Sequence, residues 1–374
     1  MTVHQWGTAL LLATAGLSQA VNAAPDVQFS GFLSVVGGKV LSGTRTEALP
    51  DATNPLASCP CYLSDWANFG VYEKKFSIAE ESRIGVQATA KFSTDLRATA
   101  QIVSRGTDTS PALTWAYLSY QLSPNLELQV GRKRIPLYYY SDFQDIGVAY
   151  PWVTTPPELY GWDATNYNGA SLRYKTTVND AAVSASVFAG SEKIKDDRYF
   201  LTYGSPRNEH HWKNIFGGDV EVSKDWWTVR GVFIQAKPEF SDLDDPSNDV
   251  RQTMEAYVVA FNADFDNWFI LSEIGTNNRD YKDGSGLKVK SPAYSIGAGY
   301  RLGKWTPFIN YGDYQDNYND PAVTDLHWNR LALTLRYDLT NSSAIKVQFD
   351  DQKEKSAPWL GDVKVLRISY DMVF

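Results

Sequence analysis

A strict alternation of apolar and polar residues runs through the last segment of the chain, VKVLRISYDMVF. The apolar side chains occupy every second position: Leu366, Ile368, Tyr370, Met372 and Phe374. Polar residues, among them Arg367 and Asp371, lie between them. Because successive side chains of an extended strand point to opposite faces, one face of this strand is apolar and the other polar. The segment predicts a strand that separates two different environments.

The same alternation recurs along most of the chain. SRIGVQATAKF and LRATAQIVSR flank the short polar turn STD, a pattern typical of a β-hairpin. Further copies follow as VQFSGFLSV, WAYLSYQL, LELQVGR, NGASLRYK, AAVSASVFAG, NIFGGDVEVS, WWTVRGVFIQ, EAYVVAFNADF, NWFILSEIG, AYSIGAGYRL, WTPFINYGD, NRLALTLRYDL and SAIKVQFDD. Together with the terminal segment they make about sixteen strands, an even number as in outer-membrane barrels.

The connections between these strands alternate in length. Short ones (STD, SPN, VND, SKD, DFDN, LGK and TNSS) are interleaved with long polar ones near residues 40–72, 138–164, 191–211, 236–252, 276–291, 313–326 and 351–361. Tight turns at one rim and long loops at the other are typical of a bacterial transmembrane barrel. A soluble β-sandwich does not require this asymmetry.

The aromatic content agrees with a membrane location. Aromatic residues make up 14% of the 374 residues, and such rings favour the membrane–water interface. Many of them lie beside the short turns: Tyr120, Tyr174, Tyr300 and Tyr337 at strand ends, and Trp226, Trp227, Trp268 and Trp305 at strand starts. Beyond the N-terminus we find no run of roughly 20 apolar residues that would form a spanning helix. The prediction is an all-β fold, a closed transmembrane antiparallel β-barrel.

The N-terminus has the features of an export signal. A short apolar core from Thr8 to Leu17 is followed by small residues that favour cleavage after Ala23. The segment before the core contains His4 but no Lys or Arg, which departs from the usual positive charge. We therefore predict a signal peptide over residues 1–23 and a single barrel over residues 24–374. The net charge of -8 argues against nucleic acid as a partner.

These features together resemble one family. GRKRIPL leading into a long third loop, NGASLRYK leaving it, NRLALTLRYDL followed by SAIKVQFDD, and the terminal Phe374 are similar to the Gram-negative general porins. The resemblance implies a homotrimer of 16-stranded barrels in the outer membrane, in contact with lipid and lipopolysaccharide, through which small hydrophilic solutes and ions diffuse passively. It also implies that Phe374, Met372 and Tyr370 form the signal read by the barrel assembly machinery.

In this family the third loop folds into the barrel and narrows the pore, so the segment near residues 138–164 is the predicted constriction. It is stiffened by prolines and rich in Tyr and Trp, which suits packing against a barrel wall. Its acidic residues are Asp142, Asp145, Glu158 and Asp163. The predicted basic wall opposite comprises Arg83, Arg97, Arg105, Arg132, Arg134, Arg173 and Arg230. Acids facing bases would create a transverse field that orients polar solutes.

The remaining motifs favour neither an enzyme nor a cofactor. Nucleophilic catalysis needs a base beside the nucleophile, and the chain has only four His and no GxSxG. The adjacent His210 and His211 are predicted in a solvated loop rather than a metal site. Cys59 and Cys61 lie in the first long loop as CPC, where a disulfide closing the loop is preferred over two thiols. We predict no catalytic residue, no metal and no cofactor.

Two other functions remain open from the sequence. The arginine-rich wall is also compatible with a substrate-specific channel for anionic or sugar-like solutes. The long loops are also compatible with a barrel that acts mainly as an adhesin or receptor. Net charge does not separate cation from anion preference, because it includes the exposed loops as well as the lumen.

Overall fold

The computed structural model describes residues 25–44, 60–108, 110–162, 164–195, 207–356 and 361–374. The strands in this part of the chain are β1 Asp26–Gly43, β2 Tyr62–Asp65, β3 Gly70–Tyr72, β4 Arg83–Lys91, β5 Leu96–Arg105, β6 Ala112–Ser123, β7 Leu126–Arg134, β8 Asn166–Val178, β9 Ala181–Lys195, β10 Asn208–Lys224, β11 Trp227–Asp242, β12 Val250–Phe265, β13 Trp268–Tyr281, β14 Lys288–Tyr300, β15 Trp305–Tyr318, β16 Leu326–Thr340, β17 Ser343–Glu354 and β18 Val363–Val373. The predicted signal peptide lies outside the described residues.

Sixteen of these strands form one closed antiparallel barrel, which confirms the predicted fold class. β1 pairs with β4 on one side and with β18 on the other, and every barrel strand from β4 to β18 pairs with its neighbours in sequence. The closing register sets Leu33 opposite Met372 and Val36 opposite Ser369. Closure leaves no strand edge unpaired, which is the condition for crossing a lipid bilayer with strands.

The alternation in sequence becomes the difference between the two faces of the barrel. In β18, Leu366 and Ile368 are 40% and 47% exposed on the outer face, whereas Arg367 and Asp371 are at most 1% exposed on the inner face. Most other barrel strands repeat this arrangement, with exposed Val, Leu, Ile and Phe side chains outside. On β11 and β12 the inner face is apolar as well, and Val232, Ile234 and Met254 lie in one buried cluster with Ile135 of the connection between β7 and β8. The outer surface is therefore an apolar band, and most of the inner surface carries polar residues.

Aromatic side chains pair across neighbouring strands beside the short turns. Trp268 and Tyr300 are opposite each other with ring centroids 4.7 Å apart, and Trp305 and Tyr337 are 4.5 Å apart. Trp226 stacks on Phe265 at 4.7 Å. These pairs lie where the predicted interfacial girdle places them.

The short turns are built by residues that tolerate positive φ. Asn179 and Asp180, between β8 and β9, have φ of 48° and 65°, and Asp225 and Asp266 occupy similar conformations in later turns. Asn and Asp adopt this region more readily than other residues with a Cβ. We call this rim of the barrel the short-turn end and the opposite rim the long-loop end.

At the long-loop end several strands extend further than predicted. β11 continues to Asp242 and β12 begins at Val250, so the connection predicted over residues 236–252 is mostly paired strand. The connections predicted near 276–291 and 313–326 are shortened in the same way. His210 and His211 accordingly lie in β10 rather than in a loop. Beyond the apolar band the outward side chains become polar, as Lys237 and Glu239 of β11 show, so the apolar outer pattern ends before the backbone pairing does.

Helical structure in the described residues is confined to short segments. The α-helix α1 spans Pro157–Tyr160, and 3-10 turns span Ser141–Phe143, Gly147–Ala149 and Pro246–Asn248. None of the helices described is long and apolar enough to span a membrane. Two of the 3-10 turns and α1 lie in the connection between β7 and β8, residues 135–165, which we call the inward loop.

Candidate functional site: two loops inside the barrel

The inward loop packs its aromatic residues onto the inner face of β13–β15. Tyr140, Trp152 and Leu159 form one buried cluster with Phe269 and Phe308 of the wall. The rings of Trp152 and Phe308 meet edge to face at 5.2 Å between centroids. Such contacts add to the burial of the rings themselves. The loop is therefore folded into the lumen rather than projecting outward.

Asp145 of the inward loop joins three of the predicted wall arginines. Both of its carboxylate oxygens accept hydrogen bonds at 2.9 Å from Arg105 Nη2, and Arg134 donates to it as well. Arg83 Nε donates to its backbone carbonyl at 2.7 Å. Burial would raise the pKa of Asp145, but the charges of Arg105, Arg134 and Arg83 outweigh burial and hold that pKa well below its usual range.

Glu158, another predicted acid, contacts Arg330, an arginine that the sequence analysis did not single out. Arg330 donates to its two carboxylate oxygens at 2.9 and 3.1 Å and to Asp350 at 2.7 Å. Asp350 also accepts from Arg367 at 2.9 Å, and Arg367 donates to Glu81 at 2.7 Å. Five charges of alternating sign thus form a chain whose side chains are at most 1% exposed.

Wall cations also bind the backbone of the inward loop. Lys346 Nζ donates to the carbonyls of Gly147 and Trp152 at 2.5 Å each and lies 3.2 Å from Asp371. Arg336 donates to the carbonyls of Val148 and Tyr150 at 2.8 and 3.0 Å. We call the inner face of β16–β18 that carries these groups the docking wall, because it holds the loop by its main chain and its acids.

A second loop segment also lies inside the barrel, and the sequence analysis did not predict it. The hairpin β2–β3 buries Tyr62 and Tyr72 completely against Val40, Val363 and Val365. The guanidinium of Arg367 lies 5.1 Å from the centre of the Tyr62 ring, and the Tyr72 hydroxyl donates to Glu81 at 2.9 Å. We call this segment the first-loop hairpin. It shares Arg367 and Glu81 with the ion-pair chain that fixes the inward loop.

The remaining predicted arginines occupy different surroundings. Arg230 donates to the carbonyls of Pro136 and Tyr138 and so holds the start of the inward loop. Arg97 and Arg173 lie in β5 and β8 toward the short-turn end, where Arg97 is exposed and Arg173 half-buried. Arg132 forms a salt bridge with Glu192 at 2.6 Å. It lies two residues after the exposed Val130 in β7, on the same outward-facing side of the strand.

Of the other predicted acids, Asp142 lies in the first 3-10 turn of the inward loop and is half-buried. On the wall, Lys133 Nζ of β7 lies 3.5 Å from Ser171 Oγ and 5.4 Å from the centre of the Tyr117 ring. Lys133 was not singled out from the sequence. Asp163 lies outside the described residues.

Two other sequence predictions stay predictions. Cys61 is buried, but Cys59 lies outside the described residues, so the disulfide is untested. Phe374 exchanges backbone hydrogen bonds with Gly31 at 2.8 and 3.0 Å, and Tyr370 and Met372 share its strand. These contacts close the barrel but do not test a role in assembly. In the part of the chain that the structure describes, no group of three or more His, Cys, Asp or Glu forms a metal site.

A closed barrel with an apolar outer face, an ionised inner face and two loops folded into the lumen defines a β-barrel channel protein of the outer-membrane type. A model of the Gram-negative porin family matches residues 7–357. The chain belongs to this family. It is an outer-membrane channel for small solutes. No curated protein sequence matches it significantly.

Solved outer-membrane proteins share the fold at low sequence identity. The trimer form of in-vitro folded OmpT from Vibrio cholerae is 12% identical, with a TM-score of 0.58 over 94% of this chain and 100% of that one. An anion-selective porin from Comamonas acidovorans is 14% identical, with a TM-score of 0.59 over 94% and 100%. OmpF of Salmonella typhi, solved with daunomycin, is 12% identical, with a TM-score of 0.61 over 94% and 98%. At these identities the likeness concerns the fold alone.

Proposed function

We propose that solutes cross this channel between the inward loop and the inner face of β5–β8. The observation that carries the proposal is a contrast in exposure around the lumen. On the docking wall, Lys346, Asp350 and Arg367 are at most 1% exposed because the loops cover them. On the opposite side Arg97 is exposed and Arg173 half-buried, so the inner face of β5–β8 remains accessible toward the short-turn end. Nearer the long-loop end the inward loop also reaches this face, where Asp145 binds Arg105 and Arg134. The proposed passage runs beside these contacts.

The narrow part of this passage lies between Asp142 of the inward loop and Lys133 of β7. We assign Asp142, on the inward loop, and Lys133, on the wall strand β7, to opposite sides of this passage, and Arg173 of β8 extends the basic side toward the short-turn end. A field directed across the passage would orient polar solutes and penalise apolar ones. Lys133 therefore joins the constriction residues predicted from the sequence.

The acids Asp145 and Glu158 have a different role in this proposal. Both are buried and fully engaged by arginines of the wall, so they contribute little net field in the passage. Arg83, Arg105 and Arg134 act with Asp145 to fix the loop. Arg132 is assigned no constriction role, because it pairs with Glu192 in the outward strand phase.

The assembly proposed for the chain follows from its family. We propose export by the signal peptide of residues 1–23, insertion by the barrel assembly machinery through the strand that ends at Phe374, and a homotrimer surrounded by lipid and lipopolysaccharide. The apolar outer band and the aromatic pairs beside the short turns support a bilayer around the barrel.

Planar-bilayer recording with Lys133→Gln tests the passage. The purified protein should conduct in a salt gradient, in steps grouped in threes for a trimer, and Lys133→Gln should move the reversal potential toward cation preference because one positive charge leaves the passage. Lys364→Gln removes a positive charge from the outer face of β18 and should leave the reversal potential unchanged. Equal shifts of the reversal potential in the two variants would refute the proposed location of the passage. Absence of conductance from folded protein would refute an open channel.

A further inference from the structure

A cavity lies at the long-loop end of the lumen, above the inward loop. It encloses about 450 Å³ and is bounded by the inward loop and by the ends of β10–β16. Cavities of this size are typical of small-molecule sites. We call it the vestibule and define it by Trp162, Trp212, Asn277, Tyr314 and Trp328. The vestibule lies on the long-loop side of the lumen, within reach of solutes that enter from that end.

Aromatic rings form two opposed parts of the vestibule lining. Trp162 of the inward loop lies against Trp212 of β10 with ring centroids 5.3 Å apart, and Tyr314 stacks on Trp328 at 5.6 Å. Trp328 is 5% exposed and Trp212 4%, so their positions are fixed by packing. Rigid rings offer flat apolar faces at a low cost in conformational entropy.

The charged groups that line the vestibule are paired. Arg279 contacts Asp316 at 3.1 Å, and Glu158 contacts Arg330 at 2.9 Å. An ionic solute would have to compete with these pairs for a counter-charge. The vestibule therefore favours an uncharged solute over an anion or a cation.

Two lining residues retain hydrogen-bonding groups of opposite kind. Asn277 Oδ1 is an acceptor and Trp162 Nε1 a donor, and within the residues described neither has a hydrogen-bond partner. A buried polar atom without a partner is costly, so a ligand that supplies one gains affinity. Both atoms are buried, so a ligand reaches them only when the side chains move. Hydroxyl groups both donate and accept, and can then serve either residue.

We propose that the vestibule binds neutral sugars, whose rings present apolar C–H faces to the tryptophans and hydroxyls to the polar groups. The inference rests on the proposed channel function and adds a solute class to it. A bound sugar fills part of the lumen at the long-loop end, so it partly blocks ion flow while it remains there. Transport of sugars should then saturate with concentration instead of rising in proportion to it.

The test is a titration of the ion current of the reconstituted full-length protein with maltotriose on the long-loop side. We expect a saturable fall in current. Sorbitol, a linear polyol, should lower the current only as far as it lowers the conductivity of the bulk solution. 4-Hydroxybenzamide, a neutral aromatic with a hydroxyl, should be a weaker blocker than maltotriose. A non-saturating response to maltotriose, or stronger block by the aromatic amide, overturns the inference.

Two variants assign the effect to the vestibule. Trp328→Leu should raise the maltotriose concentration for half-block about fivefold, because one stacking face is lost. Trp305→Leu, which changes a tryptophan on the outer face, should leave it unchanged. If Trp328→Leu fails to assemble, Trp162→Leu in the inward loop takes its place. The titration of the wild-type protein needs no variant to show whether maltotriose gives a saturable block. Absence of ion current refutes the channel, whereas current without saturable block refutes only the sugar site.

Discussion

At the scale of single residues, the inward loop is held by charges that are almost entirely removed from solvent. Arg330 faces Glu158 on the loop and Asp350 on the wall, with all three side chains at most 1% exposed. A buried ion pair adds little net stability compared with an apolar pair, but removing one partner leaves the other charge uncompensated. Each member of the network is therefore sensitive to substitution by itself.

Replacing Arg330 tests this dependence. Arg330→Met should weaken loop docking by about 3–5 kcal/mol, because the buried Glu158 loses its cation and Asp350 keeps only Arg367. The expected results are a noisier single-channel current and a lower midpoint temperature for the heat-dependent change in gel mobility. Adding Glu158→Gln to Arg330→Met should restore part of the loss. Arg97→Gln serves as the control, since that arginine is exposed, and quiet wild-type-like currents from Arg330→Met would contradict the network's role.

The lowered pKa of Asp145 sets the pH range over which its ion pairs with Arg105 and Arg134 stabilise the docked loop. The carboxylate has a lower pKa in the folded than in the unfolded chain, so its stabilisation is complete above the ordinary aspartate pKa of about 3.9 and decreases as the pH falls toward the folded value. The current noise should therefore be the same at about pH 7 and pH 5, and should rise only at lower pH, where Asp145 becomes protonated. A titration step in that neutral range that Asp145→Asn abolishes would contradict the assignment.

The sequence predicts the residues of this network only in part. Asp145 and Arg83, Arg105 and Arg134 were all expected at the constriction, because loop acids and an arginine-rich wall are visible in the pattern. Which acid meets which base depends on how the loop folds back, and no local pattern encodes that. Arg330 and Arg367 were missed because each looks like any polar residue on the inner phase of a strand.

At the scale of elements, the first-loop hairpin is a second segment, besides the inward loop, that packs inside the barrel. Its tyrosines pack under β1 and β18, and Glu81, just after it, completes the ion-pair chain through Arg367. The hairpin therefore fills lumen space next to the inward loop. The sequence shows here only a polar connection with two cysteines, because strands of three and four residues are too short to display alternation.

Removing the hairpin should widen the lumen. Replacing residues 62–72 by a short Gly-Ser linker should increase single-channel conductance, since the buried volume of Tyr62 and Tyr72 becomes available to water. Shortening the connection 282–287, at the same rim but outside the docking network, is the matched control and should leave conductance close to wild type. An unchanged conductance after hairpin removal would show that this segment does not limit the passage.

The strands themselves were predictable from the sequence. Lipid on one face and the aqueous lumen on the other require apolar and polar side chains to alternate at every second residue. The pattern predicts that Leu366 and Ile368 face lipid and that Arg367 faces the lumen, as Asp371 does. The structure places all four side chains in this way. The strand ends were less accurate. In β11 and β12 the pairing continues past the apolar band to Asp242 and Val250, where neither face meets lipid and the pattern carries no signal.

At the scale of the whole molecule, the barrel is asymmetric across its lumen. The docking wall of β16–β18 is covered by the inward loop, whereas the inner face of β5–β8 keeps exposed charges. In the proposed account this asymmetry confines ions and solutes to the side of the lumen that carries Asp142 and Lys133. The conductance, the selectivity and the response to modification should all be set on that side.

Thiol modification during single-channel recording tests this asymmetry most directly. In a background with Cys59 and Cys61 replaced by Ser, Lys133→Cys places a thiol in the passage, and Gln348→Cys places one beneath the inward loop, where Gln348 is fully buried. A cationic methanethiosulfonate reagent should reduce the current of Lys133→Cys within the recording and leave that of Gln348→Cys unchanged. Modification of Gln348→Cys with loss of current, while Lys133→Cys stays unaffected, would place the passage on the other side and contradict the account.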